Sequence, residues 1–428
     1  MIDNKKNIAI IGSGISGISA AYLLSNKHNI TLFEKNNYFG GHTRTITINN
    51  DKNLDIDTGF IVYNNKCYPD LSNFFKKINI SSDDSDMSLT ICNKDINLEY
   101  GSHSFFYQKK NLTNLKYLKI LFDIIRFYKY AKFILKRSDI QNLTLEEYFN
   151  SSSFSKDFIK SHIYPIVSSI WSNDIKHVKK FPIKVFIEFF IENNLFNLLS
   201  RPKWKTLTHK GKSYINKVLE NDKIIKKLNI EILKVERDDF GIKIYSEDKK
   251  FIFDEVIIST HADQALKLIK NPSNDEFRLL NTFKYNNSNI FLHNDDKLMP
   301  INKKIWSSWN FMGEKNNKFC LSYWMNKLQK LDTNKNYFVT VNPLIDIEKD
   351  KIYNFGIIKH PIFNLETIQA QKELIKIQGK NKIWFAGSYF AYGHHEVGFQ
   401  SSISIANMMN ISIPWFRNNS DNRISILY

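Results

Sequence analysis

Cysteine is almost absent from this chain: three residues in 428, Cys67, Cys92 and Cys320, lie far apart. They form no metal-ligand spacing and no disulfide framework, which excludes a stapled secreted scaffold and points to a reducing compartment. Proline (9) and glycine (15) are sparse, and no repeat or low-complexity segment occurs. A hydrophobic content of 43% with 14% aromatics excludes a disordered chain. Acids are in deficit, 43 against 60 lysines and arginines, for a formal net charge of +17. That balance attracts polyanions, either nucleic acid or an anionic membrane surface. No helix-turn-helix, zinc or RNA-binding motif accompanies it, so no nucleic-acid role is expected. The whole chain is loaded with Lys, Asn and Ile, so the distribution of charge matters more than its total. One stretch is locally biased: Lys109 to Arg137 holds nine basic residues and a single acid, Asp123.

Long apolar runs are lacking too, with one exception, "IAIIGSGISGISAAYLL" from Ile8 to Leu24. A secretion signal needs an uninterrupted apolar helix, and a membrane anchor needs roughly 20 apolar residues. Gly12, Gly14 and Gly17 break the run in its first half. The reading they favour is a buried parallel strand, Ile8 to Ile11, then a turn, then a helix from near Ser16. At ~150 residues per domain the chain holds two or three folding units. "SSDDSD" and "NSSSFS" read as loops and "RNNSDNR" after Trp415 as an exposed tail.

Gly12, Gly14 and Gly17 form GxGxxG between a strand-like and a helix-like run, and a second β run, "NITLFE", ends in Glu34. Each position has a mechanical task in holding a dinucleotide. Gly12 permits the tight turn around Ser13, Gly14 lets the backbone approach a pyrophosphate, and Gly17 allows close helix-on-strand packing. The helix start around Ser16 offers free N–H groups to phosphates. Glu34 would accept hydrogen bonds from ribose hydroxyls, and an acid there disfavours a 2′-phosphate.

The continuation "EKNNYFGGHTRTI" resembles the extended FAD fingerprint of the flavin-containing amine oxidase superfamily, which includes monoamine oxidases, protoporphyrinogen oxidase and phytoene desaturases. The resemblance implies that Lys35, Gly40, Gly41, His42, Thr43 and Arg44 lie along the cofactor. His42 stands where the superfamily has an arginine, and Arg44 is the candidate to supply the guanidinium. "DIDTGFIVY" is similar to the superfamily's second strand and turn, which implies that Thr58, Gly59 and Phe60 pass the isoalloxazine. "NIEILKVERDDFGIKIY" and "FDEVIISTHADQ" resemble the middle of the FAD domain. They imply a strand whose backbone near Ile232 pairs with adenine, a hairpin at Asp239 to Gly241, and a buried strand ending at Thr260 and His261. "KIWFAGSYFAYGHHEVGFQSSISIANMM" resembles the C-terminal FAD motif. There Gly387 approaches the ribityl chain beside Ser388, and a helix opening at Val397, Gly398 and Phe399 aims its dipole at the flavin pyrimidine.

Across nearly the whole length the chain looks like the bacterial branch described as predicted NAD/FAD-binding, amine-oxidase-like proteins. Members often sit beside cyclopropane-fatty-acyl-synthase-like methyltransferases. That association implies oxidation or desaturation of a lipid acyl chain and a possible methyltransferase partner. The expected architecture is α/β: a Rossmann-like FAD domain from discontinuous segments, 1–75, 205–265 and 351–428, with an α+β substrate domain from 76–204 and 266–350. FAD is expected to be noncovalent, since no cysteine lies in a linking motif. No metal is expected.

Three functions stay open on sequence: lipid oxidation, soluble amine oxidation with peroxide release, and a noncatalytic flavin-bound lipid-binding protein. Flavin N5 can itself accept a hydride, so no acid or base is compelled. His395 and Glu396, with His394 beside them, are the candidates for proton handling. The run from Lys109 to Arg137 fits either a basic amphipathic helix on an anionic membrane or a domain helix with a solvated lysine face. A cytoplasmic protein, peripheral on the inner face of the membrane if that helix docks, is the expected location.

Overall fold

The structure, a computed structural model, describes residues 5–49, 53–94, 97–102, 113–197, 202–238, 241–314 and 318–424. The opening apolar run divides at its glycines, into the strand Asn7–Ile11 and the helix Ile15–Leu24. That strand is the centre of a five-stranded parallel sheet ordered Ile383–Phe385, Glu255–Ile258, Asn7–Ile11, Asn29–Phe33, Ile224–Lys227. Its register pairs Ile10 with Ile257 on one side and with Leu32 on the other. A continuous apolar run is what a parallel strand covered on both faces requires. Ile8 and Ile10 enter one core, with the helices Ile15–Leu24, Pro69–Lys77 and His395–Met408, whereas Ala9 and Ile11 enter another on the opposite face.

A second sheet of seven strands runs Ile352–Ile362, Lys284–His293, Phe338–Val341, Lys318–Trp324, Trp309–Glu314, Leu89–Asn93, Leu98–Gly101. It is antiparallel except where Trp309–Glu314 meets Leu89–Asn93. Its apolar side packs against a helical layer that includes Leu115–Leu135, Tyr164–Trp171 and Ile183–Glu192. Phe186, Phe189 and Phe190 are buried there, so the aromatic run from Phe181 is core. The architecture is therefore α/β with a Rossmann-like parallel sheet and a second sheet domain.

Two expected domain limits move. Ile352–Ile362 pairs along ten registers with Lys284–His293, so the chain returns to the Rossmann-like domain only after it, not at 351. Residues 266–283 pack the other way: Leu279, Leu280 and Phe283 lie in the core beside Ile258 and Phe385. Ile232 lies in an irregular stretch, since the following strand begins at Lys234. Lys234–Asp238 and Gly241–Tyr245 pair antiparallel, while 239 and 240, at the expected hairpin tip, fall outside the described residues.

The segment after Trp415 is not a loose tail. The Asp70 carboxylate accepts hydrogen bonds from Trp415 Nε1 (2.9 Å), Arg417 Nε (2.7 Å) and Nη2 (2.9 Å), and Gln400 Nε2 (2.8 Å). Its charge, invisible to a local reading, is satisfied from 345 residues away. Among the described residues no helix is long and apolar enough to cross a membrane, and no cluster of side chains could hold a metal ion.

Candidate functional site

The carboxyl ends of the parallel strands open into a cavity of about 650 Å³, where ligands of open α/β sheets bind. Gly12, Ser13, Gly14 and Ser16 form one wall. Gly12 takes φ +98°, and a Cβ there would press on the Ser259 carbonyl at 3.0 Å. A Cβ on Gly17 would lie 1.9 Å from the Gly12 carbonyl, so this glycine lets helix and turn close on each other. A Cβ on Gly14, by contrast, would meet no protein atom within 4 Å. The first bond of the helix runs from Ile18 N–H to Gly14 O. The N–H groups of Ile15, Ser16 and Gly17 precede it and lack intrahelical acceptors, as at any helix start.

Glu34 is held at the end of its strand by four bonds. One oxygen accepts from Ser13 N–H (3.1 Å) and Ser13 Oγ (2.6 Å), and the other from Asn36 N–H (2.9 Å) and Nδ2 (2.8 Å). Ser13 Oγ in turn accepts from Gly40 N–H at 3.0 Å, tying the glycine pair to the first turn. Gly41 lies against Gly14, where a Cβ would approach its Cα to 3.0 Å. Lys35 reaches the cavity and pairs with Glu231 at 3.6 Å.

His42 and Arg44 both line the cavity. Burial lowers the pKa of His42, leaving it neutral, so the positive fork at this turn belongs to Arg44, whose guanidinium stacks on Tyr38 at 4.9 Å. Thr58 lines the cavity and bonds the Arg44 carbonyl. Gly59 sits where a Cβ would strike the His42 carbonyl at 1.9 Å. Phe60 is buried just outside, stacked on the His395 ring at 4.0 Å. Thr43 is also behind the wall, bonded to both Tyr214 and His395. Ile232, Thr260, Gly387, Ser388 and His395 join the lining from later segments.

Gly40, Gly17, Thr43, Gly59, Phe60, Val397, Gly398 and Phe399 stand behind the lining. Gly398 lets two helices touch, since a Cβ there would meet Ile15 at 2.7 Å and Ser16 at 2.9 Å. Val397 and Phe399 are core residues on opposite faces of the sheet. The helix His395–Met408 makes its first bond from Gly398 to the His394 carbonyl, leaving the N–H groups of His395, Glu396 and Val397 at the end that reaches the cavity.

Glu396 is the clearest departure from the sequence reading. Its carboxylate turns from the cavity and accepts the N–H groups of Asp70 (2.9 Å) and Leu71 (3.0 Å), at the start of the helix Pro69–Lys77. Burial and the neighbouring Asp70 carboxylate push its pKa up, and the two N–H bonds hold it back. It is a helix anchor and does not line the cavity. His395 remains in the wall, and burial, with His42 and His394 adding to it, brings its pKa down to about 3.

Apart from His394, several residues in or just behind the wall carried no signal of their own. Lys359 lines the cavity from the seven-stranded sheet, and His360 lies 6.0 Å from His42, ring to ring. Gly356, inside the same strand, was the available hint: a glycine within a strand marks a close backbone approach. A Cβ there would come within 3.4 Å of Arg44. At the far end Ile290, Leu292, Ile358 and His394 face the cavity, and His394 packs edge-on against Phe189 at 4.8 Å.

The residues present fit a dinucleotide. Two helix starts, an anchored acid and an open space at Gly14 converge on one volume. The hydroxyls of Ser259 and Tyr389, both on the wall, are buried without a partner among the described residues.

Residues 10–78 match the family model described as "NAD(P)-binding Rossmann-like domain". A comparison with the curated proteins finds no match. Among solved structures the chain is similar to the CLA-producing fatty acid isomerase from P. acnes, at 12% identity and TM-score 0.68, over 95% of this chain and 99% of that one. It is similar to a putrescine oxidase bound to putrescine, at 11% identity and TM-score 0.69, with 95% and 99% covered. It is similar also to cyclohexylamine oxidase from Brevibacterium oxydans IH-35A, at 13% identity and TM-score 0.61, with 95% and 100% covered. The cavity thus lies at the end of a Rossmann-like sheet, lined in part by the second sheet, within a fold that these oxidases and this isomerase share.

Proposed function

We propose that the protein is an FAD-dependent oxidoreductase whose substrate is a neutral or anionic apolar molecule, a fatty-acyl chain fitting best. The observation that carries this is the charge of the cavity wall. Among the described residues its only carboxylates are Glu34 and Glu231, both at the end assigned to adenosine, whereas Lys35, Arg44, Lys267 and Lys359 are all cationic. An ammonium substrate would find no counter-ion beside Ile290, Leu292, Ile358 and His394, and a desolvated, unpaired charge there is costly.

FAD would lie with its pyrophosphate over Gly14 and the N–H groups of Ile15 and Ser16, its ribose at Glu34, and its ribityl chain along Gly387 and Ser388. Bound flavin supplies hydride acceptance from carbon. The protein's part is to orient and to dry the site. The N–H groups at the start of the helix at His395 would offer dipoles to the negative charge of a reduced flavin bound there. Ile290, Leu292 and Ile358 exclude water on the substrate side. The acyl reading also draws on the fatty acid isomerase among the similar structures, and the amine reading on the two amine oxidases.

Anaerobic mixing of the yellow holoprotein with fatty-acyl lipids, and separately with a panel of amines, distinguishes them by loss of flavin absorbance. Bleaching or double-bond rearrangement with lipid alone supports the acyl reading. Bleaching by an amine alone replaces it, and a yellow protein that neither class reduces or alters removes the enzyme reading.

A further inference from the structure

We propose that the outer face of the helix Leu115–Leu135 docks the protein on an anionic lipid bilayer. The inner face is ordinary core: Tyr117, Ile120, Ile124, Phe127, Ala131 and Ile134 are buried against the helical layer. The outer face is not the solvated polar face that such a helix should then present. Leu115 is 81% exposed, Phe122 63%, Phe133 62% and Ile125 59%, with Leu118 and Tyr130 also exposed. At 3.6 residues per turn, Leu115, Leu118, Phe122, Ile125 and Phe133 fall within roughly 80° of arc, so they form one stripe rather than scattered contacts.

Charge selects the occupant. Lys119, Lys129, Lys132 and Lys136 border or interrupt the stripe, and no carboxylate shares it. The helix's one acid, Asp123, is buried, where it pairs with Arg126 at 3.0 Å and accepts the Ser155 N–H at 2.9 Å. Among the described residues none of these four lysines has an acidic partner. A protein surface would need its own apolar groove flanked by acids to fit this face. An anionic bilayer offers both at once: acyl boundary for the phenylalanines, and headgroup charge for lysines whose stems lie along it. This inference stands on the surface alone and survives if the acyl-substrate reading fails. If both hold, the helix lies one layer from the site, since Phe127 stacks on Phe186 of the helix whose Phe189 meets His394.

The test is cosedimentation of the full chain with vesicles of phosphatidylcholine alone or mixed with phosphatidylglycerol. Partition is expected only with the anionic vesicles, falling as salt is raised. Lys119→Glu/Lys129→Glu/Lys132→Glu should weaken it at least ~100-fold. Phe122→Ser/Phe133→Ser should weaken it at least ~10-fold, with the thermal midpoint and any bound-flavin spectrum of both variants unchanged. The proposal is overturned by failure of the native chain to bind anionic vesicles, or by full binding in both folded variants. It is equally overturned by a concentration-dependent dimer that Phe122→Ser/Phe133→Ser abolishes, which would assign the face to a second copy.

Discussion

Nε2 of His395 lies 3.0 Å from the Thr43 hydroxyl, joining the glycine-pair turn to the start of the last long helix. The same hydroxyl is 2.6 Å from that of Tyr214, and the imidazole lies flat on Phe60. Thr43→Val removes the central member and leaves two buried polar groups short of a partner. The expected loss is about 1–3 kcal/mol of stability, read from the urea midpoint. A variant as stable as the native chain would show that the three groups do not act together.

Gly14 and Gly17 should respond to alanine in opposite ways. Gly14→Ala adds a methyl group where no protein atom lies within 4 Å, so the cofactor-free chain should stay within about 0.5 kcal/mol of native. FAD titration should nevertheless show affinity falling by about tenfold or more, because the methyl occupies the pyrophosphate's approach. Gly17→Ala drives a Cβ into the Gly12 carbonyl, so it should fail in stability first. Unimpaired FAD affinity in Gly14→Ala would remove the pyrophosphate assignment.

The histidines set the acid limit of the fold. Burial takes His261, His360 and His395 down to about 3, and His293 and His394 to about 4. In the unfolded chain all five titrate near 6.5. Below that value the unfolded state binds protons that the folded state refuses. Their contribution is thus complete above about pH 6.5 and lost as pH falls toward 3. Each adds a slope of up to about 1.4 kcal/mol per pH unit in that window. Urea midpoints measured from pH 7 to 4.5 should fall steeply. His394→Phe, which keeps an aromatic ring against Phe189, should flatten the curve, and an unchanged slope would count against a buried neutral His394.

Glu396→Ala is expected to cost about 2–4 kcal/mol in chemical denaturation, since the N–H groups of Asp70 and Leu71 lose their acceptor inside the protein. The folded variant should bind FAD as tightly as the native chain. A large loss of flavin reduction rate at native stability would return Glu396 to the catalytic candidates.

Local chemistry made parts of this fold legible. The turn at Gly12, the helix after it and the acid at Glu34 rest on contacts within about 25 residues, so spacing alone places them. The wall residue Lys359 and its neighbour His360, which packs on His42, arrive from a strand whose partners lie some 70 residues earlier, and strand alternation cannot say which sheet it joins. Glu396 failed for a related reason. Its neighbours along the chain face the cavity, yet its carboxylate is claimed by Asp70 and Leu71, more than 320 residues away. The segment after Trp415 reads as polar and loose until Asp70 is placed beneath it.

The order of strands in the parallel sheet carries a consequence for biosynthesis. Asn7–Ile11 leaves the ribosome first, yet its neighbour Glu255–Ile258 and the edge strand Ile383–Phe385 follow much later. At about 5–20 residues per second, the gap between the first strand and the last is roughly 20–75 s. For roughly the first 12–50 s of it, until Glu255–Ile258 emerges, Asn7–Ile11 has an unpaired edge, and after that the open edge is that of Glu255–Ile258. Nascent chains should therefore depend on holding chaperones until the last strand emerges, and truncation before Ile383 should yield aggregates rather than a smaller folded protein.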